Sequence, residues 1–197
     1  MAMAAQAMMD VGIENVERHE AALTTYALDR LRSLPEITIY SEADPQRTQE
    51  RVGVISFNLG SAHHALVAAI LGYEGGIGVR NGCFCAQPYV ALLLKDAETE
   101  KAQRGRDPLA GDKSGKRGMV RVSFGAYNSF DDVDALLEML WIITRNEYRG
   151  QYYQIPESGE YAPAGYHDST ADYFSFDKGA YPSGAPTLQD SWRNAID

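Results

Sequence analysis

Two stretches with a helical hydrophobic period bracket a set of short stretches with a strand period, and this order most restricts what the chain can fold into. Ile13, Val16, Leu23, Ala27, Leu31 and Leu34 recur at intervals of three, four or seven, which is one face of a helix over 13–34. Pro35 ends it, because proline disfavours the helical conformation in the residue before it. Near the other end, Ser129 and Asp132 have the spacing of a capping box, and Val133, Leu136, Leu137, Leu140 and Ile143 form the helix face that follows. Between these helices lie the strand signals. Ile37 and Ile39 alternate with Thr38 and Tyr40, "VGVISFN" at 52–58 is β-rich, "GGIGVR" follows a glycine break, and Val120, Val122 and Phe124 alternate with Met119, Arg121 and Ser123. A further helix is expected over about 62–73, with Leu66, Ala69, Ile70 and Tyr73 on one side, and "AQPYVALLL" can make a turn of helix. Strands and helices mix without strict alternation. The expected class is therefore α+β, a small, mostly antiparallel sheet with helices on one face, occupying residues 10–146.

Two segments fall outside that pattern. Residues 95–117 carry seven lysines and arginines and five acids, and read as an exposed charged insertion. From 147 to 197 periodicity is lost and Tyr, Gly, Pro, Ser and Asp dominate, which predicts an irregular acidic tail. A net charge of −9 argues against a nucleic-acid partner, since phosphate binding needs a basic stripe. No run of apolar residues is long enough to span a membrane, and the start lacks the basic region of a signal peptide, so a cytoplasmic location is expected.

The chemistry-bearing residues gather in "GVRNGCFCAQPYV", residues 78–90, which holds both cysteines of the chain. Two cysteines so close cannot staple a fold. Nor do they make a tetrahedral zinc site, since His19, His63, His64 and His167 lack metal-motif spacing. A loop thiol near positive charge can be a nucleophile, although a structural or inert surface cysteine fits the pattern as well. If the loop is extended, Cys83 and Cys85 point the same way. Arg80 ends one strand and Arg121 lies opposite Val120 and Val122 on another. A guanidinium in an apolar strand calls for an anion, either a carboxylate ligand or an acidic side chain of the protein. His63 and His64 fall at a helix start, where a polar cap is needed, and neither is expected to be catalytic.

"GIGVRNGCFCAQP" resembles the active-site loop of cysteine desulfurases of the selenocysteine-lyase-like group, within the pyridoxal-phosphate-dependent class V aminotransferases. "VRVSFGAYNSFDDVDAL" resembles a later segment of the same family. The resemblance covers residues 10–146 and implies the small C-terminal domain of such an enzyme. It implies Cys85 as the nucleophile that holds a persulfide, Arg121 as the grip on the substrate carboxylate, and Arg80 as a second pocket residue. It further implies an amino-acid substrate, a homodimer in the complete enzyme, and pyridoxal phosphate held by a large domain or partner chain that carries the Schiff-base lysine. None of the lysines at 95, 101, 113, 116 and 178 sits in a plausible setting for that cofactor, so the chain alone is expected to bind none and to be inactive. Cys83-Phe84 stands where the family usually has another pair, which leaves open which thiol is chemical. The alternative is a stand-alone binding or interaction module that kept the fold without the catalysis.

Overall fold

The computed structural model describes residues 2–40, 42–94, 113 and 115–167. All of them up to Ala164 fall in one compact unit, Met1–Ala164, and Gly165 begins a second. Its elements in order are α1 (Ala2–Val11), α2 (Ile13–Leu31), β1 (Ile37–Ile39), a 3-10 helix (Pro45–Glu50), β2 (Val54–Leu59), α3 (His64–Gly75), β3 (Arg80–Gly82), α4 (Gln87–Leu93), β4 (Met119–Ser123), α5 (Phe130–Thr144), β5 (Tyr152–Gln154) and β6 (Tyr161–Pro163). The main sheet has the order β1-β2-β4-β3 with every pairing antiparallel, and β5-β6 form a separate hairpin. The fold is α+β, as expected.

One face of the sheet makes the core. Ile55, Phe57 and Leu59 of β2 and Val120 and Val122 of β4 point to it and are buried. They meet Leu23, Ala27, Leu28 and Leu31 of α2, Val67, Ile70 and Leu71 of α3, and Val133, Leu136, Leu137, Leu140 and Ile143 of α5 in a single apolar cluster. The strand period delivers every second residue to this face, so the intervening Ser56, Asn58 and Arg121 go to the other. The capping box at the start of α5 forms in full: Ser129 Oγ accepts from Asp132 N–H, and the Asp132 carboxylate accepts from Ser129 N–H.

Several boundaries differ from the sequence expectation, each for a physical reason. The strand expected over 75–80 starts at Arg80, because α3 runs to Gly75 and closes on Gly76 in the left-handed conformation, φ 64°. Arg80 therefore opens a strand instead of ending one. The buried residues of α3 are His64, Ala65, Val67, Ile70 and Leu71, so of the expected side only Ile70 is buried, and Tyr73 is 48% exposed. That helix is apolar nearly all round, so its period cannot say which side faces in. Ile13, expected on the buried face of α2, is exposed. The stretch expected to be irregular from 147 onward contains the β5-β6 hairpin. The insertion at 95–117, apart from 113 and 115–117, and the tail beyond 167 lie outside the described residues.

Candidate active site

Alternation along β4 sends Val120 and Val122 to the helices and Arg121 to the opposite face, beside its register partner Ser56 on β2. On its other side Arg121 pairs directly with Arg80 of β3. Directly paired residues project from the same face of a sheet, so the two guanidiniums share it. Like charges in that relation repel. Among the described residues neither guanidinium has an ion pair, and Arg121 Nε is buried with no hydrogen-bond acceptor. A buried donor left in that state costs about 1–3 kcal/mol. Two guanidiniums paired in this way, without an acid among the described residues, would attract an anion.

The cysteines lie in the turn that leaves β3. Gly82 has φ 97°, and a Cβ on Gly118 would stand 2.5 Å from Gly82 Cα, so glycine at both positions lets the end of β3 and the start of β4 close together. The chain then reverses: Ala86 N–H donates to Cys83 O at 2.7 Å, and Phe84 and Cys85 both hold positive φ, 52° and 60°. Left-handed conformations cost about 1–2 kcal/mol for a non-glycine residue, and two in succession are a strained turn of the kind found at functional sites. The loop is thus not extended, and the expectation that both thiols point the same way on that basis does not apply.

The turn separates the two thiols chemically. Cys83 Sγ donates to Arg117 O at 3.3 Å. Burial pushes its pKa up, while the nearby Lys116 charge works the other way, so this thiol stays protonated and occupied. Cys85 is exposed at the turn's apex. Phe84, between them, lays its ring 4.8 Å from Arg121 Cζ in a cation–π contact. The structure therefore brings Arg80 and Arg121 side by side on β3 and β4, and the turn that carries Cys85 meets Arg121 through Phe84. Sequence reasoning missed Phe84, whose aromatic ring among small residues was the available signal.

Beside this turn lies a polar cavity of about 200 Å³ lined by His64, Asn81, Cys83, Gln87, Arg117 and Glu160. His63 is the N-cap of α3: its Nδ1 accepts from Ala65 N–H, and its Nε2 faces Lys116 O at 3.1 Å. Burial, and then the neighbouring His64, lower its pKa. Asn81 Nδ2 donates to Glu160 of the hairpin at 3.1 Å, while its Oδ1 lies 3.0 Å from His64 Nδ1. These histidines hold structure, as expected of a capped helix start.

Pyridoxal phosphate needs a lysine amine, an acid for its ring nitrogen and a phosphate cradle. Among the described residues the lysines are Lys113 and Lys116, both on the segment entering β4, and no aspartate or glutamate is buried. These residues do not fit that cofactor. Among the described residues there is also no cluster of three or more potential metal ligands.

The family profile described as "Aminotransferase class-V" matches residues 1–136. A probable cysteine desulfurase of Halalkalibacterium halodurans is 34% identical over 131 residues, 66% of this chain and 25% of that protein. A cysteine desulfurase of Haloferax volcanii matches to the same extent. The chain thus spans about a quarter of the length of these relatives. Among solved structures, the apo cysteine desulfurase of Thermococcus onnurineus NA1 superposes with a TM-score of 0.53 at 28% identity, over 72% of this chain and 29% of that one.

Proposed function

We propose, from the premise that the chain belongs to the class V aminotransferase family, that it serves as the small C-terminal domain of a cysteine desulfurase-like enzyme. In this reading Arg121 grips the carboxylate of an amino-acid substrate and Arg80 completes the anionic pocket. Cys85 is the thiol whose sulfur attacks the sulfur of a cysteine substrate: the S–S bond of a persulfide forms as the substrate's Cβ–S bond breaks, and the electron pair leaves with the substrate carbon, which takes up a proton to give alanine. The observation that carries it is the direct pairing of Arg80 with Arg121 across β3 and β4, uncompensated by any acid among the described residues, next to the Cys85 turn. A guanidinium fork on a rigid strand binds a carboxylate in two parallel hydrogen bonds, and β4 is flanked by a strand on each side. A nucleophile that must take up and pass on a sulfur atom is better placed on an exposed turn than in the core.

Pyridoxal phosphate supplies the electron sink for such chemistry. Its cradle belongs to a large domain or partner chain, and the complete enzyme is a homodimer. The residues of this chain bind, orient and accept. Burial and the bond to Arg117 O favour Cys85 over Cys83 as the sulfur acceptor.

The test places this chain in the matching segment of the Halalkalibacterium halodurans relative and follows sulfide release from L-cysteine. Cys85→Ala abolishes release and Cys83→Ala preserves it. Arg121→Ala loses about 2–5 kcal/mol of substrate interaction, read in kcat/KM. Release that survives Cys85→Ala removes that residue from the chemistry. The same chain mixed with pyridoxal phosphate alone gives no Schiff-base absorbance; a stable chromophore overturns the assignment of the cofactor to other polypeptide.

A further inference from the structure

We propose that Phe84 is a positioning residue that holds the Arg121 guanidinium in place for the carboxylate and fixes the Cys85 turn against it. This rests on the reading of Arg121 as the carboxylate grip and adds to it a residue with no polar group of its own.

The geometry has three parts. The Phe84 ring lies 4.8 Å from Arg121 Cζ, against the guanidinium. The N–H donors of a guanidinium radiate in its plane, and an aromatic ring holds the cation through its π-face without accepting from any of them. Arg121 Nε, one of those donors, is buried and has no acceptor among the described residues. The ring thus anchors the guanidinium without using any of its N–H donors, which leaves them for a carboxylate.

The second part is the backbone. Phe84 is a bulky side chain at φ 52°, a conformation such residues adopt only when the surroundings impose it. The turn is fixed on its near side by the Cys83 thiol on Arg117 O and by the Ala86 N–H on Cys83 O. The contact with Arg121 ties it to β4, the strand bearing the anion site. The third part is sequence distance. Cys85 follows Phe84 directly, so its Cα is about 3.8 Å from that of the stacking residue. One contact therefore sets both the attitude of the fork and the reach of the thiol. Without it the guanidinium must be immobilised anew each time a carboxylate binds, which weakens binding roughly three- to tenfold.

The experiment uses the full chain with ¹⁵N-labelled arginine. The Arg121 Nε–Hε resonance is assigned by its loss in Arg121→Lys and is followed during titration with acetate. In the wild type it is displaced by the ring current and moves saturably with acetate. Phe84→Leu keeps the bulk and the left-handed strain but has no aromatic face. It removes the ring-current displacement and weakens acetate roughly three- to tenfold, while Phe84→Tyr restores both. Acetate binding by Phe84→Leu equal to the wild type, in a variant whose remaining spectrum is unchanged, overturns the proposal. If Phe84→Leu does not fold, Phe84→Tyr decides: loss of acetate affinity there, with the ring present and the ring-current displacement retained, overturns it equally. A wild-type Arg121 resonance that shows the ring-current displacement but ignores acetate contradicts the carboxylate reading itself, and is a different result from either.

Discussion

At the scale of single residues the cysteine pair is the sharpest case. Cys83 and Cys85 look equivalent in sequence, and the fold makes them opposites. One thiol is half-buried, pushed up in pKa by burial and engaged with Arg117 O; the other is exposed on a strained turn. Alkylation by iodoacetamide near neutral pH, followed by mass spectrometry, is expected to label Cys85 well before Cys83; equal rates count against this separation. The strain gives a second prediction. Glycine adopts φ 60° without penalty, so Cys85→Gly raises stability by about 0.5–1 kcal/mol after its cost in the unfolded chain, while Cys85→Ala leaves it nearly unchanged. Thermal melts of the two variants check this. A Cys85→Gly variant that melts lower than Cys85→Ala shows that the turn is not strained as described. The arginines were legible in part. Alternation placed Arg121 opposite Val120 and Val122, which the strand obeys, but the residue facing Arg121 across the ladder is set by register, and one sequence does not contain it.

At the scale of elements, helices with one apolar stripe were readable and the uniformly apolar one was not. Every residue expected on the α5 face is buried, and the capping box at its start is in place. Ser129→Ala is expected to cost about 1 kcal/mol in urea denaturation, by leaving an N-terminal amide without its acceptor. Leu140 is fully buried among three helices and the sheet, and Leu140→Ala should cost about 2–5 kcal/mol. The β5-β6 hairpin lies beyond the family match and was not anticipated, because its attachments are distant in sequence. The Glu74 carboxylate at the end of α3 accepts from Arg149 N–H, Gly150 N–H and the Tyr152 hydroxyl. Burial opposes ionisation of Glu74, but these hydrogen bonds and the Arg149 charge outweigh it and hold the pKa below the ordinary glutamate value. Burial, then Glu74 itself, pushes Tyr152 well up, so it stays a donor. A carboxyl depressed in the folded state adds stability above its unfolded pKa of about 4.3, and that stability is lost as pH falls through the folded value. Glu74→Gln should therefore destabilise the chain more at pH 6 than at pH 3.5; a difference independent of pH contradicts the latch.

At the scale of the whole molecule, the described unit has a finished side and an unfinished one. Three helices cover one face of the sheet, and the other carries two arginines without counter-ions among the described residues. Met3, Met9, Val11 and Ile13, around the α1–α2 junction, are more than half exposed, as is Val52. Exposed apolar surface of this kind promotes association. The chain expressed by itself is expected to bind an apolar dye and to self-associate; a monodisperse monomer in light scattering that binds no dye counts against a missing partner. What the sequence by itself determined was the class of fold, the order of the main helices and strands from α2 to α5, and the faces of α5, β4 and, apart from Ile13, α2. These follow from periods of two and 3.6, which are properties of neighbouring residues. The tertiary structure alone decided that Arg80 stands opposite Arg121, that Phe84 covers the guanidinium, that the two thiols differ, and that Glu74 and Glu160 hold a hairpin 75 or more residues away from their partners. Contacts of that kind depend on strand register, on turn conformation and on burial. These are settled when distant segments pack, and no local pattern encodes them.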